Sequence, residues 1–365
     1  MAKKQRNTII ELFRFAFTMC VVIAHMCSLY DWTTIRCNGH IAVEFFFVLS
    51  GALMARQTMK ERQDGRTLPQ ATWSFMKRKI AGIAPVWYIV LATLTVVYLS
   101  SHPQYLTSVS RGLTFLSRLV PTAMFLSGYG LGEIIEIPYS WYIPVMLVSM
   151  LAIYPLIHRF GRNFTAVAAP LIVLFFCSWA IVTKGKLFML KEEYIGFVYP
   201  NQLRGFGELC MGCVAWELAE GLRQRFAGRL RMAGRVLATL VSVGTIALPV
   251  VWVFIGINGN SHPAILLMFA VGVGVSFSGL DLADKVPDAV NKAFAWLGRI
   301  SLSVYLGQGL VKTFFNPWMK ANGSLWSYCL AALAIGIAVH YAAALALWLF
   351  RKLCKGVRRL CVNAE

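Results

Sequence analysis

The chain has 365 residues, 58% of them hydrophobic and only 14% charged, with a formal net charge of +19. Ordinary soluble domains carry about a quarter charged residues, which excludes a water-soluble core for this composition. The positive balance would point to nucleic acid in a soluble protein, but here the placement of the cations along the chain excludes that partner.

Apolar stretches recur at 9–30, 41–54, 80–99, 139–157, 164–182, 204–218, 236–257, 263–280, 295–314 and 325–350. Most approach the ~20 residues that cross hydrocarbon as a helix. The fold class expected is therefore an all-α integral membrane protein, a bundle of about ten transmembrane helices. Stretch 41–54 is short and is expected to start at Asn38 or to run on to Met59. Stretch 114–126, interrupted by Arg118 and Pro121, reads as an interfacial segment. With the N-terminus inside, 24 of the 35 lysines and arginines fall in inside loops and eight in the longer outside loops. That asymmetry is the positive-inside pattern, and an even number of spans places both termini in the cytoplasm. The first apolar stretch is too long for a cleaved signal and stays as a span of the cell membrane. Neither a repeat nor a low-complexity tract interrupts the chain, so 1–365 reads as a single membrane domain. Nine cysteines are scattered mostly through the spans. The run Cys210-Met211-Gly212-Cys213 reads as small buried thiols rather than a metal site, and no metal is expected.

Ionisable side chains inside a span cost several kcal/mol unless paired or placed in a polar cavity, which makes each of them a functional candidate. In the first span Arg14 and His25 stand eleven positions apart, nearly three turns, so they project from one face about 16 Å apart along the axis. The plain alternative is a snorkelling arginine and an interfacial histidine. In the second span Glu44 lies about one turn in from the start, at a depth expected to be similar to that of His25. A carboxylate bonded to one imidazole nitrogen would fix the tautomer and raise the basicity of the ring, as a general base requires. Ser50-Gly51 would let two helices approach closely. Lys77, Arg78 and Lys79 precede the third span, which Pro85 is expected to kink; three adjacent cations at a helix entry suit a phosphate-bearing ligand. Arg204 and Glu208, spaced i and i+4, read as an intrahelical pair at the start of the sixth span.

Taken together, these residues resemble acyltransferase family 3. The likeness is carried by Arg14-x10-His25, by Phe45-Phe46-Phe47-Val48-Leu49-Ser50-Gly51, and by Phe75-Met76-Lys77-Arg78-Lys79-Ile80 leading to Pro85. It continues through Ser140-Trp141-Tyr142-Ile143-Pro144 and Tyr154-Pro155-Leu156, and through Leu297-Gly298-Arg299-Ile300-Ser301-Leu302-Ser303-Val304-Tyr305-Leu306. The resemblance implies transfer of an acyl group, usually acetyl, from cytoplasmic acetyl-CoA to a hydroxyl of a carbohydrate or lipid-linked glycan. It implies that His25 is catalytic and that Arg14, Lys77 and Arg78 belong to the donor site; the reading of the residues adds Glu44 beside His25 and Lys79 beside the donor cations. Trp141, Tyr142, Tyr305 and Gln308 are implied on the acceptor side, with Gln308 standing where many members carry histidine. A proton-coupled carrier or a glycan exporter is the rival, because an intramembrane histidine and glutamate also suit a transporter.

Overall fold

The computed structural model describes residues 7–30, 38–187, 199–255 and 261–362. Of the residues in the charge pattern, Lys3, Lys4, Arg6, Arg36 and Lys191 lie outside that set. Among the described residues all regular structure is helical: α1 (Thr8–Leu29), α2 (His40–Glu61), α3 (Leu68–Ser101), α4 (Val109–Ala123), α5 (Tyr142–Phe160), α6 (Ala169–Lys184), α7 (Pro200–Phe226), α8 (Met232–Ile255), α9 (His262–Ser278), α10 (Asp288–Asn322) and α11 (Leu325–Val362).

Among the described residues seven helical segments are long and apolar enough to cross a membrane: α1, α2, α3, α5, the α6 helix with its preceding π turn, α8 and α11. The expected spans at 204–218, 263–280 and 295–314 form helices that differ from this pattern. α9 is apolar but only 17 residues long. α7 and α10 are long but carry charges along their length, among them Arg204, Glu208 and Glu217 in α7 and Lys292, Arg299 and Lys312 in α10. The segment expected at the interface is α4, fifteen residues with Pro121 inside its last turn. α2 takes the second of the two extensions, running through Met59 to Glu61, and starts at His40 rather than at Asn38.

The chain forms two compact units, one of residues 1–76 and 141–299, the other of 77–140 and 300–365. In the first, Asn7 starts α1 by accepting a hydrogen bond from the Ile10 amide at 3.2 Å, a side-chain cap on an otherwise orphaned donor. α9 ends at Gly279 in the left-handed region, and its last carbonyls, Phe277 and Ser278, accept from Arg223 of α7 at 2.5 and 3.3 Å. α5 is finished in the same way by Arg62, whose guanidinium donates to the His158 and Arg159 carbonyls at 2.8 and 3.3 Å. Arginine thus satisfies acceptors that a helix leaves open at its C-terminus.

α7 lies at the centre of this unit. The Ser50-Gly51 step does what small residues do in membranes: a methyl on Gly51 would collide with the Leu209 carbonyl, and one on Gly212 with the Val48 carbonyl. The two backbones therefore touch directly. Cys210 and Cys213, on the same stretch of α7, are buried free thiols, as expected. α1 runs antiparallel to α2. Phe17 stacks on Phe45 at 4.6 Å, and Gly39 abuts Ala24 so closely that a methyl would not fit. α5 runs parallel to α2 and starts lower: Tyr142 meets Phe46 and Ser50, and Tyr154 meets Glu61.

In the second unit α4 lies antiparallel against α3. Tyr98 faces Phe115 at 6.1 Å, while the Trp87 indole and the Tyr88 hydroxyl donate to the Thr122 and Ala123 carbonyls, both at 3.0 Å. The connection that follows is irregular, with positive φ at Phe125, Gly128, Gly130, Gly132 and Tyr139. The left-handed backbone at Tyr139 is also why α5 starts at Tyr142 instead of at 139, since a helix cannot be continued through it.

Candidate functional site

The face of α1 that carries Arg14 and His25 also carries Thr18 and Val21, at helical spacings of four, seven and eleven from Arg14. Thr18 and Val21 are each 1% exposed, so this stripe packs against protein. Arg14 and His25 themselves are half-buried. Arg14 donates to the Glu11 carboxylate at 2.9 Å, one turn earlier on the helix. Glu11 is itself buried, and it sits where a side chain on Gly298 would have to go: a methyl there would overlap the carboxylate. The arginine of the first motif and the glycine of the last are thus joined through Glu11. Arg14 is also within electrostatic range of the Tyr142 hydroxyl, as is Glu208.

Glu44 takes a different place from the one its sequence position suggests. With Phe17 opposite Phe45 and Ala24 opposite Gly39, Glu44 is level with Thr18, and His25 lies about 10 Å further toward the start of α2. The equal depth expected for His25 and Glu44 does not hold, because α2 begins only at His40 and the two helices are offset. The Glu44 carboxylate belongs to another cluster. Its Oε1 is 3.2 Å from His262 Nδ1 and 3.6 Å from Arg204. Arg204 also binds Glu208 at 2.6 Å and the His40 carbonyl at 3.0 Å, and its guanidinium lies over the Trp141 ring at 5.5 Å. His40 and His262 stack with centroids 5.0 Å apart. Glu44, Arg204 and Glu208 are 0% exposed. The intrahelical pair read from the sequence exists, then, but as one edge of a knot of three helices, α2, α7 and α9.

His40 and His262 are the members that sequence reasoning missed. His40 reads as a loop residue because the apolar stretch starts after it, and His262 reads as the residue before Pro263 at a helix start. Their signal was a histidine at the first position of two helices, which is informative only once α2, α7 and α9 are known to meet.

The second-span motif is spent on packing from several sides. Phe45 stacks on Phe17 and meets Phe269 edge-on, Phe47 meets Trp141 and Tyr142, Ser50 bonds Tyr142 at 3.0 Å, and Gly51 admits α7. Tyr142 donates to the Phe46 carbonyl at 3.1 Å, so its hydroxyl is engaged within the bundle. Trp141 presents one face to Arg204.

The remaining candidates lie in the second unit. Lys77 and Arg78 are exposed and Lys79 is half-buried near the start of α3. Tyr305 donates to the Tyr139 carbonyl and so braces the left-handed turn. Gln308 is 0% exposed and donates to the Tyr305 carbonyl at 2.8 Å. Among the described residues no group of three or more His, Cys, Asp or Glu side chains could hold a metal ion.

These features define a multi-pass helical membrane protein with an ionisable stripe on its first helix and a charged cluster sealed inside the bundle. The chain belongs to acyltransferase family 3: the profile of that family, described as an acyltransferase domain, matches residues 7–348, nearly the whole chain and both compact units. No curated protein and no solved structure matches it.

Proposed function

We propose that the protein transfers an acyl group, most simply acetyl, from cytoplasmic acyl-CoA to a hydroxyl of a glycan or similar carbohydrate at the cell membrane. The observation that carries this reading, beside family membership, is the α1 stripe. An arginine and a histidine share one buried face about 16 Å apart, with only Thr18 and Val21 between them on that face. Arg14 offers charge to the donor at one end of the stripe, along which the extended pantetheine arm runs toward His25; Lys77, Arg78 and Lys79, which belong to the second unit, are proposed separately as phosphate contacts.

At His25 a ring nitrogen takes the proton of the acceptor hydroxyl as its oxygen attacks the thioester carbonyl; the carbon–sulfur bond breaks, and the imidazolium returns the proton to the departing thiolate. In a two-step form the ring nitrogen attacks first, and an acyl-imidazole is then cleaved by the hydroxyl. Trp141, Tyr142, Tyr305 and Gln308 act on the acceptor side by holding the backbone and aromatic surfaces in place. Glu44 contributes by fixing the cluster one layer from His25, not by bonding to it.

The test is His25→Ala. Transfer from acetyl-CoA by purified protein should fall to background while membrane insertion is retained, and retained transfer would remove the proposal. Replacing Lys77 and Arg78 with alanine should weaken acyl-CoA binding and leave acceptor binding alone, read as a KM change for the donor only.

A further inference from the structure

The second unit holds a feature that the proposed chemistry does not use. Its α3 contributes the apolar stretch 80–99, and α4 packs against the half of that stretch nearer Leu99. Phe115 is level with Tyr98, and Thr122 and Ala123 are level with Trp87 and Tyr88. Tyr88 is eleven residues from Leu99, so α4 descends about 16 Å along the span, more than half of the ~30 Å hydrocarbon core. The chain then returns without regular structure, fastened to α4: Arg118 donates to the Gly132 carbonyl at 2.9 Å, Thr122 to the Ile135 carbonyl at 2.5 Å, and the Ile134 amide to the Arg118 carbonyl at 3.1 Å.

Irregular backbone at such depth is tolerated where it is covered by protein or where it lines water. Gly130, Leu131, Gly132 and Glu136 are exposed, so the described residues of their own unit leave them uncovered. Glu136 follows directly on Ile135, at the level of Thr122 and Trp87, and is exposed there. α4 itself is two-sided. Val109, Leu113, Leu116 and Val120 form an exposed apolar stripe, while Ser110, Thr114, Ser117 and Arg118 form an exposed polar face beside it, on the side of the return segment.

We infer that residues 103–140 form a re-entrant element that opens a water-filled vestibule from the outer face to about mid-membrane, and that a polyhydroxylated acceptor enters through it. The vestibule is lined by the polar face of α4 and the 130–136 return, with Glu136 near its floor. The word outer rests on the positive-inside topology, and the acceptor rests on the acyl-transfer reading; the water does not.

In a cysteine-depleted protein that still acetylates cell-surface glycan, single cysteines replace Ser117, Leu131 and Glu136, and separately Leu113, Leu116 and Val120. A charged, membrane-impermeant thiosulfonate is added to intact cells. The first three should react at least tenfold faster than the second three. Equal reaction of all six would place α4 in bulk water, and no reaction at 117 and 131, with a Gln104→Cys control reacting, would close the vestibule; either result overturns the inference. These positions keep it testable should Glu136→Cys fail to fold. In the second arm a bulky impermeant reagent at Leu131→Cys should lower glycan acetylation at least tenfold while hydrolysis of acetyl-CoA by the purified protein persists. Unchanged acetylation would overturn the acceptor route. Labelling reads water and not turnover, so failure of this inference and failure of the acyl-transfer reading give different results.

Discussion

At the scale of single residues the clearest coupling is between Glu11, Arg14 and Gly298. The Glu11 carboxylate holds one guanidinium nitrogen of Arg14, and a side chain on Gly298 would collide with that carboxylate. Gly298→Ala should therefore displace Glu11 and raise the KM for acetyl-CoA about tenfold, the equivalent of ~1.4 kcal/mol, with a smaller change in kcat; a pure kcat effect would break the link to Arg14. Arg204 is the residue whose loss should be worst tolerated. Arg204→Met leaves Glu44 and Glu208 buried without their shared cation, a class of change that costs about 3–5 kcal/mol, and thermal unfolding in detergent should show it as loss of a folded population at ordinary temperature.

Asp281 supplies a pH prediction. Burial raises its carboxyl above the ordinary 3.8, against opposing hydrogen bonds from the Ala283 amide, Asn7 and Ser276. A folded state that prefers the protonated acid has its full contribution below the unfolded value, and loses it as pH rises through the raised one. Stability measured from pH 4 upward should therefore fall more in the native protein than in Asp281→Asn, and parallel profiles would show that the site is not linked to folding.

At the scale of elements, how well the sequence could be read followed period and composition. Helices whose apolar runs are long, such as α1, α3, α8 and α11, were visible because nothing interrupts them. α2 was visible but clipped, since His40 and the polar residues from Arg56 onward look like loop when taken one at a time. α7 and α10 were located as helices, yet the buried Arg204 and Glu208 of α7 are what a hydrophobicity argument discounts, while Lys292, Arg299 and Lys312 of α10 are exposed. The start of α5 was not legible. Tyr139 carries a side chain in a backbone region that such residues seldom adopt, and the hydroxyl that holds it comes from Tyr305, 166 residues away. Tyr305→Phe should release that turn: a modest loss of stability, about 1 kcal/mol for one hydrogen bond, together with a larger loss of acyl transfer. Equal losses in both would reduce Tyr305 to a packing residue.

For the molecule as a whole, the candidate site was half legible. Arg14 and His25 could be found because a single helix fixes their relation, and eleven residues of helix have one geometry. Glu44 could be found as an oddity but not placed, because its partners Arg204 and His262 are 160 and 218 positions away in sequence. Offsets between helices are set by contacts such as Phe17 on Phe45 and Ala24 on the bare backbone of Gly39, and no single-helix pattern encodes them.

The contact between Gly51 and Gly212 has a mechanical consequence. With main chain seated on main chain there is no layer of deformable side chains between α2 and α7, so the pair can neither slide nor roll without separating. Whatever shape change accompanies turnover has to be carried by their neighbours, since this pair moves as one body.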